Sequence, residues 1–360
     1  MRGDLVAWAE SGGLALTGWP GEEPLPPAGP VLERAAHAAA LFGKWAGTWG
    51  SAPNIDIAEI LFGRAALMGL TRQGRVSANG TCRLLRAADG WLAVNLARPD
   101  DLRSVPAVIG RNLDPDEDPW VALAATAAGS AAALLVDHAQ MLGVPAAALG
   151  ECPPTDASWP VTWTASGRAQ GRRRPRIIDL SVMWAGPLCG RLLQEAGADV
   201  VKVESATRPD GARLGHPAFW ERLHAGQQFV TVDLDTTEGV AQLRDLVAGA
   251  DAVIDSSRPR ALAHLGMVAE EWAGPDLTWI SITGYGRRGP AATKVALGDD
   301  AAVAGGLVGT DARGDPVFCG DAIADPLAGL VAAAAGARAL GGGGGLVSVA
   351  MAEVAAWATS

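Results

Sequence analysis

A chain of 360 residues that is 49% hydrophobic can bury a core large enough for two domains or for one elaborate α/β domain. Its 29 basic against 39 acidic residues leave a net charge of -10, so the surface as a whole repels nucleic acid and anionic lipid, and an anionic ligand needs a local basic pocket. No apolar run reaches the roughly 18 to 20 charge-free residues of a membrane span, and the opening MRGDLVAWAESGG has neither a basic start nor an apolar h-region, so a cytoplasmic location without membrane contact is expected.

In chain order, apolar periodicity predicts helices over about 31 to 45, 57 to 70, 118 to 129 and 131 to 142. Between the second and third, TCRLLRAADGWLAVNL reads as two strands joined at an Asp-Gly turn. Residues 1 to 170 are therefore expected to form a mixed α+β region. A polar stretch and the basic run RRRPR (Arg172 to Arg176) mark a linker near 165 to 175. From 175 to 360 strands and helices alternate: RIIDL, GPLCGRLLQEAG, DVVKVE, FVTVDL, EGVAQLRDLVAGA, DAVIDSS and LTWISIT. Such βαβ alternation, with short runs of continuous Val and Ile, predicts a parallel sheet covered by helices.

The four cysteines, Cys82, Cys152, Cys189 and Cys319, are widely spaced with no CxxC pair, so neither a zinc site nor a disulfide framework is expected. The GxGxxG match GYGRRG follows a predicted strand, but it runs into Pro290 and AATK instead of opening an apolar helix, and no acid ends a strand about 20 residues on. A dinucleotide site is rejected on both counts. No GxSxG, HExxH or P-loop sequence is present.

In CGDAIADPLAGLVAAAAGARAL (residues 319 to 340) the acid Asp325 stands just ahead of a long apolar run. Followed by Pro326, it reads locally as an N-cap and N1 pair, and the helix dipole there favours its ionised form. Capping and chemistry are not separable at this level. A faint internal repeat relates SGGLALTGWPGEEPLPPAGPVLERAAHAAALF to AGGLVGTDARGDPVFCGDAIADPLAGLVAAAA and sets Glu33 where Asp325 stands.

Four stretches together point to a family: RIIDLSVMWAGPLCGRLLQEAGADVVKVES with GAR behind it, VTVDLDTTEGVAQLRDLVAGADAVIDSSRPRALAHLGM, LTWISITGYGRRGP, and the segment around Asp325. In this order and spacing they resemble the class III CoA-transferases, the CaiB/BaiF family. The first half resembles the same family more weakly in GTCRLLRAADGWLAVNL and LLVDHAQMLGVPAAALGE, yet these pieces precede the catalytic segment instead of following it. The order is that of a circularly permuted, or duplicated and trimmed, family member.

The resemblance implies a Rossmann-like parallel-sheet domain with a smaller mixed α+β region. It implies CoA transfer between an acyl-CoA and a carboxylic acid, with Asp325 as the nucleophile that forms a mixed anhydride. Coenzyme A is then a substrate, and no other cofactor or metal is expected. The resemblance sets Met183, Trp184, Ala185, Arg213, Ser256, Ser257, Arg258, Gly284 and an acid at Asp299 or Asp300 (Asp300 in the working assignment) around the CoA and acyl group. Gly284, Gly286 and Gly341 to Gly345 are candidate oxyanion donors.

Several family basic positions are here Ser205, Gln227, Asp235 and His264, leaving Arg213, Arg258, Arg260, Arg287, Arg288 and Lys294 to meet phosphate. The family's racemase branch needs a histidine ahead of an aspartate after GYGRRGP, where this chain reads ALGDDAAVAGG. A 2-methylacyl-CoA isomerase and a non-catalytic partner subunit remain as alternatives. The family's interlocked dimers imply a homodimer or a complex with a related subunit.

Overall fold

The computed structural model describes residues 2–154, 158–165, 167 and 174–360; Arg172 and Arg173 of the basic run, with most of the expected linker, lie outside the described residues. The first half contains helices α1 (Arg2–Glu10), α2 (Val31–Ala46) and α3 (Ile57–Met68), strands β1 (Cys82–Arg86) and β2 (Trp91–Asn95), helices α4 (Pro99–Ile109), α5 (Pro119–Ala128) and α6 (Ala132–Met141), and the short strands β3 (Ala146–Ala148) and β4 (Thr162–Thr164). Helix starts follow local capping chemistry. Asp56 accepts the Glu59 N–H ahead of α3, and Asp118 accepts the Trp120 N–H ahead of α5. The second helix stops at Met68, short of the expected residue 70, because Gly69 turns into the left-handed region with φ 64°.

The second half runs β5 (Arg176–Asp179), α7 (Ala185–Glu195), β6 (Asp199–Ser205), α8 (Pro217–His224), β7 (Gln228–Val232), α9 (Thr237–Ala248), β8 (Ala252–Asp255), α10 (Pro259–His264), α11 (Ala269–Trp272) and β9 (Thr278–Thr283). It continues through α12 (Gly298–Ala304), β10 (Val308–Thr310), β11 (Pro316–Phe318), α13 (Ala324–Gly342), β12 (Gly345–Ala350) and α14 (Met351–Ala358). A seven-stranded sheet has the order β4-β12-β9-β8-β5-β6-β7, parallel throughout except for β4, which pairs antiparallel at the edge. Strands β8 and β9 are buried along their whole length, polar residues Asp255, Thr278, Ser281 and Thr283 included, as expected of central strands in a sheet covered on both faces. The chain winds outward in both directions from β5, so the carboxyl ends of β5 and β8 form the switch point where open α/β sheets bind ligands.

The first half does not stand apart from this sheet. Helix α2 packs along α13, and one hydrophobic core runs from Trp8, Phe42 and Leu61 to Leu188, Leu330 and Trp357. The hairpin β1–β2 adds β3 as a third strand over a separate core with α4, α5 and α6. Helices α2 and α13 are the two helices that the internal repeat relates, and they lie side by side.

Helix α13 is apolar all round and almost wholly buried, which its Ala-rich sequence permits because small side chains let helices approach closely. At Gly329 a Cβ atom would lie 2.6 Å from the Ala185 carbonyl oxygen of α7, and at Gly336 it would lie 2.4 Å from Ile280 Cδ1. Among the described residues no helix is long and apolar enough to cross a membrane. Because backbone meets backbone at Gly329, the substitution Gly329→Ala is expected to cost about 1–3 kcal/mol through overpacking, read as an earlier urea midpoint. An unchanged midpoint would mean that α7 and α13 can move apart freely.

Candidate active site

The loop entering α13 is tightly determined. Ala322 adopts φ 43°, a left-handed conformation unusual for a residue with a side chain, and its N–H is held by Asp299 Oδ1 at 2.9 Å. Its carbonyl accepts the Asp325 N–H at 2.9 Å. The helix therefore begins at Ala324, with Ile323 in the cap position and no side-chain cap. This corrects the expectation that Asp325 is the N-cap and Pro326 the first helical residue: Asp325 lies inside the first turn, and its side chain is free for another task.

That side chain is partly buried and faces a cavity of about 290 Å³ at the junction of the two halves of the chain. The second half contributes Met183, Trp184, Phe219, Asp299 and Asp325, and the first half contributes Arg64, Asn79, Thr81 and Asn95. Gly298 closes one side, where a Cβ would come within 2.4 Å of Asp325 Oδ2, so only glycine allows the backbone N–H there to approach the carboxylate.

Electrostatics make the carboxylate reluctant to ionise. Burial raises Asp325 to about 7; the Arg64 guanidinium opposes the shift, and Asp299 and Asp321 add to it. Burial likewise raises Asp299 to about 6, with the Asp321 charge assisting. Arg64 on α3 bonds Asp321 Oδ2 at 2.7 Å and lies over the Trp184 ring with 5.2 Å to its centroid. Asn79 donates to Asp299 Oδ2 at 2.9 Å.

The sequence-derived residues fall into two groups. Met183 and Trp184 meet Asp325 in the cavity. Met183 has φ 71° and gives its N–H to Asp210 Oδ1 at 3.0 Å, while Trp184 packs edge-on against Phe219 at 5.2 Å. Of the two neighbouring acids, Asp299 lines the cavity. Asp300 is buried behind it, raised by burial to about 8, and bonds Asn95 Nδ2 at 3.1 Å and the Leu297 N–H.

Ala185 opens α7 under Gly329 and Gly284 packs against Ala296, neither of them in the cavity wall. The Gly286 N–H is already taken by Thr283 Oγ1 at 2.9 Å, and Gly341 to Gly345 lie at the turn into β12. None of the glycines expected as oxyanion donors is among the residues lining the cavity.

The remaining residues surround the carboxyl ends of β5 and β8. Ser256 Oγ accepts the Val182 N–H at 3.0 Å, and Ser257 Oγ bonds Asp255 at 2.7 Å, so both hydroxyls brace loops. Arg213 is engaged by Glu204, with Nε 2.9 Å from Oε1, and stacks on Trp220 at 4.2 Å. Arg258 and Arg260 line a recess of about 530 Å³ together with Arg98, Gln140 and Thr293. The two acids in that recess are occupied, Asp101 by Arg98 and Asp100 by Arg103, whereas Arg258 has neither acid as a partner and is crowded by the charges of Arg260 and Arg98.

Glu33 stands exposed in the first turn of α2, outside the cavity wall. Sequence reasoning missed Arg64, Asn79, Thr81, Asn95 and His216, none of which belongs to a local motif. Among the described residues no group of three His, Cys, Asp or Glu side chains is placed to hold a metal.

A succinyl-CoA/D-citramalate CoA-transferase of Chloroflexus aurantiacus is 34% identical over 169 residues, which is 44% of this chain and 42% of that protein. A succinate/glutarate CoA-transferase of Agrobacterium fabrum is 34% identical over 179 residues, 44% of each chain. The chain thus matches less than half the length of these curated relatives. A CaiB/BaiF family structure from Brucella suis aligns at 31% identity and a TM-score of 0.46, over 51% of this chain and 53% of its own. Residues 175–360, just over half of the chain, match the model of CoA-transferase family III, and the chain belongs to that family.

Proposed function

We propose that this protein moves coenzyme A between an acyl-CoA thioester and a carboxylic acid, with Asp325 as the nucleophile. The observation that carries this reading is the uncapped Asp325 carboxylate facing a largely apolar cavity in a CoA-transferase family III chain. A carboxylate attacking the thioester carbonyl forms a C–O bond, breaks the C–S bond and releases the thiolate, leaving an acyl-aspartyl anhydride. The thiolate can then attack the Asp325 carbonyl and release the donor as its acid, and an acceptor carboxylate repeats the steps in reverse. Exclusion of water by the bound acyl group protects such an anhydride from hydrolysis. Met183, Trp184 and Phe219 give the acyl group an apolar wall, and coenzyme A enters as a substrate, not a resident cofactor.

The recess with Arg258 and Arg260 is our choice for the CoA phosphates, since it offers guanidinium charge on a chain of net charge -10. Arg213, held by Glu204, is a weaker choice. A second reading, isomerisation of a 2-methylacyl-CoA, draws support from Asp299, which faces the same cavity as Asp325 and could exchange the α-proton with it. Deuterium uptake at the α-carbon without CoA transfer would identify that chemistry. A chain that neither binds CoA nor forms an adduct would instead be a partner subunit. Assembly as a homodimer or with a related subunit also belongs to the proposal, and a monodisperse monomer by light scattering at micromolar concentration would exclude it.

Three outcomes are expected. Asp325→Asn abolishes transfer and removes the hydroxylamine-trappable acyl adduct seen on the parent, whereas retained turnover would move the nucleophile elsewhere. The stability of the same variant has a definite sign. Asp325 ionises near 7 in the folded chain but near about 3.9 when unfolded, so the folded state binds more protons in between and loses stability as pH rises through that window. Asp325→Asn should therefore melt at or above the parent temperature at pH 8, while a clear drop would give the carboxylate a structural role. The double change Arg258→Ala with Arg260→Ala should weaken acyl-CoA binding by more than about tenfold in low salt. Affinity within twofold of the parent would place the phosphates in another recess.

A further inference from the structure

Asp299 and Asp325 line one cavity, the buried Asp321 lies behind its wall, and the Arg64 guanidinium is set among the three. Arg64 reaches them from α3, in the other half of the chain. Its position is defined by the 2.7 Å bond to Asp321 and by the Trp184 and Phe219 rings, whose centroids lie 5.2 and 5.7 Å from the guanidinium carbon.

The other charged groups around Arg64 are already committed. On its own helix Glu59 pairs with Arg191 of α7 and Arg222 of α8, each at 3.2 Å. From α12 Asp299 is bonded by Asn79 and the Ala322 N–H. His216, ahead of α8, lines the cavity and uses Nδ1 to cap that helix. Among the described residues, Arg64 is the cation that offsets ionised Asp325, and Asp321 competes for it.

We propose that Arg64 is a positioning residue that sets the charge state of the site: shared between Asp321 and the cavity, its guanidinium keeps Asp325 ionised and therefore able to attack. The inference rests on Asp325 being the nucleophile. Its physical basis is a charge balance in a poorly solvated space, where three carboxylates against one cation cannot all be ionised. Asp321 draws on the same cation, and its Oδ1 has no hydrogen-bond partner. Loss of Arg64 should leave Asp325 protonated at a pH where the parent is active. Loss of the Asp321 charge should act the other way, since it removes a like charge and releases the guanidinium to Asp325.

The test is the pH profile of acyl-adduct formation on the full chain in a single turnover, with hydroxylamine trapping as the readout. In the parent the rate should rise with pH through an acid limb that reports ionisation of the carboxylate. Arg64→Gln should move that limb up by at least about one unit, so the rate loss at pH 6 exceeds the loss at pH 9 by about tenfold or more. Arg64→Lys should hold the limb near its parent position, and Asp321→Asn should move it down. A limb that stays put in both Arg64→Gln and Asp321→Asn, or equal rate losses at every pH, would overturn the inference.

Should Arg64→Gln fail to fold, Asp321→Asn decides alone, because only charge competition predicts a downward shift. Adduct formation that survives in Asp325→Asn would sink the nucleophile reading itself. A dead Asp325→Asn with an unmoved limb would sink only the role of Arg64.

Discussion

Close packing of one small-residue helix governs this structure. Helix α13 is enclosed by α2 on one side and α7 on another, and contact this tight is open only to a helix built from Ala and Gly. Its burial leaves the first turn no freedom to rotate. The left-handed Ala322, anchored by Asp299, fixes the direction in which the chain enters, and together these constraints aim Asp325 at the cavity. The carboxylate is oriented by backbone packing more than by its own hydrogen bonds.

Burial that orients the carboxylate also penalises its charge. Desolvation raises Asp325 and Asp299 toward neutrality, a range in which a carboxyl group can exist in either state under ordinary conditions. The structure concentrates opposing charge at one point, Arg64, and leaves the rest of the cavity apolar. A second concentration of guanidinium charge, from Arg98, Arg258 and Arg260, lines a separate recess.

The parallel sheet and the principal helices were legible because their patterns are periodic and local: runs such as AVID and TWISIT carry the Val, Ile and Trp of strands, whereas the end of α3, expected at residue 70, is set at Met68 by the left-handed turn of Gly69. Asp325 could be picked out by family resemblance, and Trp184 with it. Which of Asp299 and Asp300 faces the cavity was not legible, since adjacent residues differ only in the direction that α12 presents them. Arg64, Asn79 and Asn95 left no trace in sequence for a different reason. They reach the site from chain segments more than 200 residues away from Asp325, and no spacing rule connects them to it. The N-cap reading of Asp325 failed because capping rules describe exposed helix starts, whereas α13 starts inside the protein.

The pairing of α2 with α13 has a consequence for how the chain is made. The apolar face of α2 is complete by Ala46, yet its partner spans residues 324 to 342. Helix α2 therefore emerges from the ribosome with an uncovered hydrophobic face, and the shared core can close only after α13 has followed, nearly 300 residues later. Contacts of such long sequence separation slow folding and prolong the exposure of sticky intermediates. The small β1–β2–β3 unit, with the core beneath α4, α5 and α6 complete by Ala148, is the part whose contacts are local enough to form early.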